Sequence, residues 1–579
     1  MRIALAQLNP IVGDIAGNAA LIRAAIAEAK RAGARLVVTS ELSLIGYPPR
    51  DLLFREDVVE SCELTVREIA REVGDAYVLI GHPRRCAGGL RGMRNSVSVC
   101  HQGDVIAVYD KRLLPGYDVF DEDRYFDPGP AEKSLVLTID GMRVGVLVCE
   151  DLWHADDVAA KANYPIEPVR MLAKDGCDLL IALNASPFVV GKFGRHIEQV
   201  REAARSLRAP VVTVNQVGAN DDLIFDGRSA VLNAQGEIIT MLSAFEQAVE
   251  IVHLGPSLNQ GETVEVDSMD EAYHALVLGV RDYFRKTGNE RAVIGLSGGI
   301  DSALVAVIAA AALGAHNILG VLMPSRYSSP GSVSDARDLV RNLAGAQSCE
   351  IPIHLAHEVM QGTLDEAIGN VNGTLADENL QARLRGLILM AISNATPRSL
   401  LISTSNKSEI AAGYSTLYGD MCGAISPLGD LTKTRVYALS QWINHHHHEL
   451  GFTQPPIPQA SITKPPSAEL RPNQTDQDTL PPYPVLDEII ERYIEREQSV
   501  DSIIEESGIE EAIVCQFTRL IDLAQYKREQ ASVILKITPR AFGRGRVMPI
   551  VMKSQSWHVK SLEARRSNQR ANAESRRPG

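Results

Sequence analysis

The chain has 579 residues, of which 45% are hydrophobic and 22% charged, as in ordinary globular proteins. This length exceeds what one hydrophobic core usually supports, so we expect at least two domains. The formal net charge of −14 argues against a general nucleic-acid or anionic-membrane surface, and the apolar runs, such as Ala303–Leu313, are too short to span a bilayer.

The first ten residues and the spacing of the cysteines bear on the cellular compartment in which we expect the protein. Met1 to Pro10 lacks a basic region followed by a long apolar core, so we expect no secretory signal. The eight cysteines are scattered, without a Cys-x-x-Cys pair. In a chain of this length, that usage favours reduced thiols and a cytoplasmic location.

The first 255 residues alternate short apolar runs with amphipathic helical patterns, which predicts a layered α/β domain. A helix is predicted over Asn18–Ala32, where apolar residues recur at helical spacing. The predicted strands are Ile3–Gln7, Leu36–Thr39, Tyr77–Gly81, Ser96–His101, Val144–Val148, Leu179–Leu183, Val211–Asn215 and Ala230–Leu232.

Three residues in this half form a candidate catalytic set. Glu41 follows a predicted strand, Lys111 lies in a Tyr-Asp-Lys-Arg segment, and Cys149 ends a strongly apolar strand. A cysteine at a strand end can present its sulfur to a cleft, and Glu41 could take its proton. Lys111 could stabilise the oxyanion formed when the thiolate attacks an amide. Each residue alone also fits an ordinary structural role, Cys149 as a buried small hydrophobe.

The contexts of these three residues resemble the Glu-Lys-Cys triad of the nitrilase superfamily. The resemblance covers about residues 1–255 and implies an αββα sandwich. It also implies that Glu122 is the second glutamate that many nitrilases place beside the cysteine. By similarity to the glutamine-hydrolysing members, the glutamine-binding residues would be Tyr117, Ser186, Phe188 and Lys192.

A linker is predicted over residues 256–268, followed by a second domain over 269–560 and a basic, flexible tail over 561–579. The second domain is expected to begin with a helix at Met269–Lys286. Its predicted strands are Ala292–Leu296, Ile318–Met323 and Leu400–Ser403, its predicted long loop is Pro455–Pro484, and its later helices are Val485–Glu497 and Gly508–Gln525. The four histidines His445–His448 are interpreted as a solvated helix segment, since metal sites gather spaced ligands.

A glycine loop connects the strand at Ala292–Leu296 to the alanine-rich helix that follows. Its sequence is Ser297-Gly298-Gly299-Ile300-Asp301-Ser302. Loop N–H groups and the helix N-terminus favour phosphate, and Asp301 could hold Mg²⁺. The alternative is an ordinary glycine turn.

The loop resembles the SGGxDS loop of the ATP pyrophosphatases, which implies a Rossmann-like, doubly wound parallel sheet and ATP as co-substrate. The ATP-binding residues implied by this resemblance are Gly295, Leu296, Ser297, Gly298, Gly299, Ile300, Asp301, Ser302, Thr404 and Lys433. Segment Lys464–Leu470 resembles the loop that closes over the phosphates.

A nitrilase-like half joined to an ATP-pyrophosphatase half resembles the glutamine-dependent NAD synthetase family. That resemblance implies that glutamine, ATP and deamido-NAD⁺ are the substrates, that Mg²⁺ is the cofactor and that the protein is a homo-oligomer. Deamido-NAD⁺ would be bound by Asn379, Arg383, Glu409 and Lys527, and the metal by Asp301 and Glu409.

Two other functions stay open from the sequence. The same chemistry could amidate another carboxylate, although the segment Asn379–Gly386 favours the dinucleotide. The chain could also be a non-catalytic assembly protein that binds nucleotide as a switch. Its combination of Glu41, Lys111, Cys149 and Asp301 argues against that function.

Overall fold

The computed structural model describes residues 1–132, 134–153, 164, 166–255 and 267–553. These residues divide by their contacts into a first unit, Met1–Lys286, and a second unit that begins at Thr287. Among the described residues, the helices are all too short or too polar to traverse a lipid bilayer.

The described residues of the first unit form fourteen strands and five helices. The strands are β1 Arg2–Gln7, β2 Leu36–Val38, β3 Tyr77–Arg85, β4 Met93–His101, β5 Asp104–Asp110, β6 Leu135–Ile139, β7 Met142–Val148, β8 Leu179–Asn184, β9 Val211–Asn215, β10 Val217–Asn220, β11 Leu223–Asp226, β12 Ala230–Leu232, β13 Ile238–Met241 and β14 Ala248–His253. The helices are α1 Ile15–Arg31, α2 Glu56–Glu72, α3 Pro168–Asp175, α4 Phe193–Leu207 and α5 Ser268–Lys286.

Two six-stranded sheets face each other in this unit, in the orders β14-β1-β2-β3-β4-β5 and β13-β12-β9-β8-β7-β6. Buried apolar residues of both sheets, such as Leu5 and Ile181, share one core between them. Helices α1 and α2 cover the outer face of the first sheet, with Ile22 and Ile69 fully buried there. Helix α4 contacts the second sheet through β9 and β12. The expected αββα sandwich is confirmed.

The second unit contains six strands and eleven helices among its described residues. The strands are β15 Arg291–Gly295, β16 Ile318–Leu322, β17 Gln347–Glu350, β18 Ser399–Leu401, β19 Ile425–Ser426 and β20 Val533–Ile534. The helices are α6 Ile300–Leu313, α7 Pro330–Asn342, α8 His354–Ile368, α9 Leu375–Ala395, α10 Lys407–Ala412, α11 Lys433–His445, α12 Gln459–Thr463, α13 Tyr483–Ile490, α14 Val500–Ser507, α15 Glu511–Leu523 and α16 Gln525–Arg528.

Four of these strands form a parallel sheet in the order β17-β16-β15-β18, so the order reverses beside β15. Helices α6 and α9 both contact β15, and Val293 of that strand packs with Leu389 and Ile392 of α9. In open parallel sheets, ligands bind outside the carboxyl ends of the strands at such a reversal. The expected doubly wound sheet is therefore confirmed, and its topology places the glycine loop after β15 at the binding edge.

Several predicted elements differ from the structure at their ends. The predicted helix Val485–Glu497 is instead α13 followed by a π-helical turn, Glu491–Glu495, and the predicted loop Pro455–Pro484 contains the short helix α12. Helix α11 ends at His445, so the other three histidines of the run lie beyond it rather than on a helix.

The predicted domain boundaries stay predictions. Residues 256–266 of the linker and the tail 561–579 lie outside the described residues. Helix α5, expected to open the second domain, contacts β10 and β11 and belongs by its contacts to the first unit.

Candidate active sites

The turn after β7 presents Cys149. The residue opens a short 3₁₀ turn, Cys149–Leu152, and its φ is +46°, a left-handed conformation that costs energy for a residue with a side chain. The carboxylate of Asp151 supports this turn by accepting bonds from the Leu113 N–H at 2.9 Å and the Tyr109 hydroxyl at 2.8 Å. A strained backbone persists only where its surroundings hold it, so the bonds to Asp151 help to fix the position of Cys149.

A fully buried lysine joins the two glutamates predicted for this site. Lys111 Nζ lies 2.8 Å from Glu41 Oε1 and 2.9 Å from each carboxylate oxygen of Glu122. Burial alone would lower the pKa of Lys111, but the two carboxylates outweigh it and raise the pKa well above its ordinary value. The structure thus brings these three residues together as a cluster that favours the protonated form of Lys111.

Two further groups orient Glu41. Asn95 Nδ2 donates to Oε1 at 2.7 Å, and the Ala185 N–H donates to Oε2 at 3.1 Å. Asn95 lies inside β4, where no sequence pattern singles it out, whereas Asp151 could have been found because it follows Cys149 so closely. With its orientation held, Glu41 is suited to accept a proton at a defined position.

The electrostatics of the pocket keep the thiol neutral at rest. Burial, together with the nearby charge of Glu41, raises the pKa of Cys149 well above its ordinary value. Nucleophilic attack therefore requires a base to remove the thiol proton. Burial also raises the pKa of Glu122 to about 7, and Tyr47 donates a hydrogen bond to that carboxylate at 2.9 Å.

Two of the predicted glutamine-binding residues contact each other. Lys192 Nζ donates to Ser186 Oγ at 3.2 Å and to the Pro187 carbonyl at 3.3 Å. Phe188 is buried and packs edge-on against Phe245, with ring centroids 5.3 Å apart. The segment from Ser186 to Lys192 therefore folds as one loop.

The fourth predicted residue, Tyr117, contacts a carboxylate that the prediction did not include. Its hydroxyl donates to Glu150 at 3.0 Å, and Tyr164 donates to the same carboxylate at 3.1 Å. Burial raises the pKa of Glu150, which adjoins Cys149 in the chain. Tyr117 thus lies beside the candidate nucleophile.

In the second unit, the glycine loop after β15 borders a cavity of about 300 Å³. Gly298 has φ +77°, and a Cβ there would lie 2.1 Å from the Ser332 carbonyl oxygen, so only glycine fits. Ser302 Oγ donates to the Gly299 carbonyl at 3.0 Å and fixes the loop at the start of α6. Except for Gly298, all of the predicted ATP-binding residues line the cavity: Gly295, Leu296, Ser297, Gly299, Ile300, Asp301, Ser302, Thr404 and Lys433.

A second shared lysine lies at this cavity. Lys433 Nζ is 2.6 Å from Asp301 Oδ2 and 3.2 Å from Glu409 Oε1. Asn406 caps α10 and also donates to Asp301 Oδ1 at 2.9 Å. Burial raises the pKa of Glu409 to about 8.

The segment predicted to close over the phosphates also lines the cavity. Lys464 Nζ contacts Ser332 Oγ at 3.0 Å and Asp335 Oδ2 at 2.9 Å. Glu469 accepts a bond from Ser332 Oγ at 2.7 Å. These contacts tie the segment to α7, whose Ser332 also adjoins Gly298 of the glycine loop.

Three residues predicted to bind the dinucleotide gather elsewhere. Asn379 accepts a bond from Thr416 Oγ1 at 2.9 Å, and Arg383 donates to the Leu417 carbonyl at 3.2 Å. Lys527 donates to the carbonyl of Ser415 at 2.6 Å. All three surround the loop over residues 413–418 and do not line the cavity as described.

Arg385 lies in the segment Asn379–Gly386 and lines the cavity, but it was not one of the individually predicted binding residues. It donates to the Met323 carbonyl at 3.1 Å, and burial lowers its pKa to about 10. Ala382, Gly386 and Leu389 line the same cavity at helical spacing along α9. That periodicity is the signal that could have found Arg385.

The raised pKa of Glu122 yields a stability prediction. An acid with a higher pKa in the folded than in the unfolded chain binds more protons when folded, so stability falls as pH rises through the folded pKa. Glu122→Gln replaces the carboxyl group with an amide of nearly the same shape that does not become charged as pH rises. We expect its melting temperature, relative to the natural protein, to rise between about pH 5 and about pH 8, measured by differential scanning calorimetry. Glu132→Gln, at an exposed carboxylate, is the control. A Glu122→Gln difference that stays constant with pH would contradict this prediction.

Comparison with known proteins covers both units. A family model described as carbon-nitrogen hydrolase matches residues 2–260, and one described as NAD synthase matches residues 272–531. The glutamine-dependent NAD(+) synthetase of Synechocystis sp. is 42% identical over 568 residues, covering 96% of this chain and 99% of that protein. The synthetase of the same name from Rhodobacter capsulatus is 43% identical over 563 residues, covering 95% and 98%.

Comparison with solved structures shows the same similarity over nearly the whole chain. The chain is similar to the glutamine-dependent NAD⁺ synthetase from Acinetobacter baumannii in complex with ADP, with a TM-score of 0.74 at 36% identity, over 95% of this chain and 98% of that one. The structure from Cytophaga hutchinsonii, at 22% identity and a TM-score of 0.80, shares the fold over 97% of this chain. Because relatives at this level of identity span nearly the whole sequence, the chain belongs to the glutamine-dependent NAD(+) synthetase family.

Proposed function

We propose that this chain is an NAD⁺ synthase that takes its nitrogen from glutamine. The first site releases ammonia and glutamate from glutamine, and the second uses ATP to convert deamido-NAD⁺ to NAD⁺, with AMP and pyrophosphate as products. The observation that carries the proposal is the presence in one chain of both sites: the Lys111–Glu41 pair, whose charges act on Cys149, and the cavity behind the glycine loop. A chain that only hydrolysed glutamine would not need an ATP-binding cavity, and a chain that only bound ATP would not need a glutamine-hydrolysing site.

At the first site, Glu41 removes the thiol proton as the sulfur of Cys149 attacks the amide carbon of glutamine. Lys111 stabilises the oxyanion of the tetrahedral intermediate, because its pKa is held high and it stays protonated. Glu41 returns the proton to the leaving ammonia, and water then hydrolyses the thioester to give glutamate. Tyr117, Ser186, Phe188 and Lys192 are proposed to hold the glutamine.

At the second site, the nicotinate carboxylate of deamido-NAD⁺ attacks the α-phosphorus of ATP and pyrophosphate leaves. Ammonia then attacks the acyl carbon, the nitrogen releases one proton to solvent, and AMP leaves with the bonding electron pair. The N–H groups of Gly299 and its neighbours, the N-terminus of α6 and Lys433 are suited to the negative charge of the phosphates. Thr404 completes the proposed ATP contacts.

We further propose that Mg²⁺ is the cofactor, held by Asp301 and Glu409. Both are hard oxygen donors on the same cavity, and both share Lys433, so two carboxylates already converge there. Within the described residues, no group of three or more His, Cys, Asp or Glu could hold a metal. Mg²⁺ commonly takes one or two carboxylates and completes its shell with water and phosphate oxygens. When bound, the ion supplies charge neutralisation at the phosphates.

Deamido-NAD⁺ is the proposed acceptor, with Asn379, Arg383 and Lys527 as its contacts together with Glu409. The first three converge on the loop over 413–418, where two cations and an amide offer hydrogen-bond donors to phosphate and ribose oxygens. A different carboxylate acceptor is the second candidate.

The assembly is proposed to be a homo-oligomer, built through α8 and α9. Large apolar side chains on these two helices are exposed, and such patches commonly mark interaction surfaces. They are Leu355, Val359, Met360, Ile368, Leu375, Leu387 and Met390. The eight free cysteines fit the proposed cytoplasmic location.

The division of labour between the sites is tested with Cys149→Ala. We expect glutamine-dependent NAD⁺ formation to fall by about a thousandfold or more, because the nucleophile is lost. Ammonia-dependent formation should remain, followed by chromatography of NAD⁺ and AMP. Cys177→Ala, another buried cysteine of the first unit with the same 7% exposure, should match the natural protein. Glutamate release without any NAD⁺ from deamido-NAD⁺ would sink the proposed acceptor and favour another carboxylate.

The glycine loop is tested with a matched pair. Gly298 and Gly288 have φ of +77° and +76°, but only at Gly298 would a Cβ meet backbone. Gly298→Ala should weaken ATP binding by about tenfold or more, since the loop must shift to clear Ser332. Gly288→Ala controls for backbone strain alone. Equal ATP affinities of the two variants by titration calorimetry would remove the loop from the ATP site.

The oligomer surface is tested with Leu387→Glu. Leu387 is 67% exposed on α9, and a charge there should dissociate the oligomer, measured by light scattering after gel filtration. The control is Leu64→Glu, at a leucine of α2 that is 49% exposed. An unchanged mass for Leu387→Glu would contradict the proposed surface.

A further inference from the structure

Helix α5 begins beyond the matched carbon-nitrogen hydrolase region and reaches back to the loop that carries the predicted glutamine contacts. Glu271, in its first turn, is only 1% exposed. Its carboxylate accepts a hydrogen bond from the Gly191 N–H at 3.3 Å, and Gly191 directly precedes Lys192. A residue of α5 is thus bonded to the backbone beside a proposed glutamine ligand.

The same carboxylate is held in place by a buried cation. Arg228 Nη1 lies 2.5 Å from Glu271 Oε1 and 3.5 Å from Asp226 Oδ2. Its guanidinium also lies over the ring of Phe193, at 4.7 Å from the centroid, and Phe193 follows Lys192 in the chain. Glu271 and Arg228 therefore contact both sides of Lys192.

Aromatic packing ties the loop to α5 a second time. Phe188 packs edge-on against Phe245, and the ring of Phe245 stacks on His274, one turn after Glu271, with centroids 6.3 Å apart. The first two turns of α5 thus contact the loop from Ser186 to Lys192 directly at Gly191 and, through Phe245, at Phe188. None of these α5 side chains is among the residues proposed to touch glutamine.

From these contacts we infer that Glu271 is a positioning residue for the glutamine pocket. Through Gly191 and Arg228 it holds Lys192 and Ser186 in the geometry that binds the amide substrate. This inference rests on the proposed glutamine hydrolysis at Cys149 and adds to the pocket a residue from beyond the matched carbon-nitrogen hydrolase region.

The test compares Glu271→Ala and Glu271→Gln in the full chain. Loss of a buried carboxylate that accepts charged and backbone donors should raise the KM for glutamine by about tenfold in Glu271→Ala, with kcat for glutamate release nearly unchanged. Glu271→Gln keeps one acceptor oxygen and should fall between Glu271→Ala and the natural protein. NAD⁺ formation from added ammonia should be unchanged in both.

Two carboxylates of the same helix are the controls. Asp282 is equally buried and anchors α5 to Asn9 at 2.8 Å and to the Ala219 N–H at 2.9 Å, away from the loop. Asp282→Asn should lower the melting temperature without raising the KM for glutamine. Asp270→Asn, at an exposed side chain paired with His274 at 3.4 Å, should change neither quantity.

Distinct results overturn distinct claims. An unchanged KM in Glu271→Ala, or an equal rise in KM in Asp282→Asn, would overturn the positioning role and leave a merely structural one. Absence of glutamine hydrolysis by the natural protein would instead overturn the proposed function. Hydrolysis without NAD⁺ formation would remove only the proposed acceptor, because the Glu271 test reads glutamate release.

Discussion

The burial of the Lys111 ammonium between two carboxylates is the constraint on which the first site depends. Removing an ion of this kind from water costs several kcal/mol, roughly, unless close opposite charges and hydrogen bonds offset it. Glu41 and Glu122 supply that offset at 2.8 and 2.9 Å. Since each comes from a different segment, the cluster exists only when β2, β5 and the turn at Glu122 are packed together.

The same cluster also influences the pKa of Cys149, the proposed nucleophile. The negative charges that keep Lys111 protonated also disfavour a resting thiolate on Cys149. The arrangement therefore favours a protonated Lys111, which is suited to stabilise an oxyanion. The Cys149 thiol must then lose its proton to a neighbouring base, for which Glu41 is proposed. The left-handed backbone at Cys149 adds a positional constraint that Asp151 and its partners maintain.

The second site also holds a lysine between two carboxylates. Lys433 is shared by Asp301 and Glu409, and these three residues open α11, α6 and α10. The N-terminus of a helix favours anions, so three helix starts at one cavity suit a triphosphate. Here the carboxylates hold the lysine in place and at the same time offer the oxygens that a hard cation prefers.

The sequence by itself determined the two fold classes, the Glu41–Lys111–Cys149 set and the glycine loop, because strand periodicity and short motifs are local properties of the chain. Only the tertiary structure decided that Asn95 contacts Glu41, and that Asn379, Arg383 and Lys527 gather away from the cavity. It also decided that α5 packs on the first unit. An amphipathic helix reveals which face it buries but not which core receives that face, since the partner surface is assembled from residues distant in the chain.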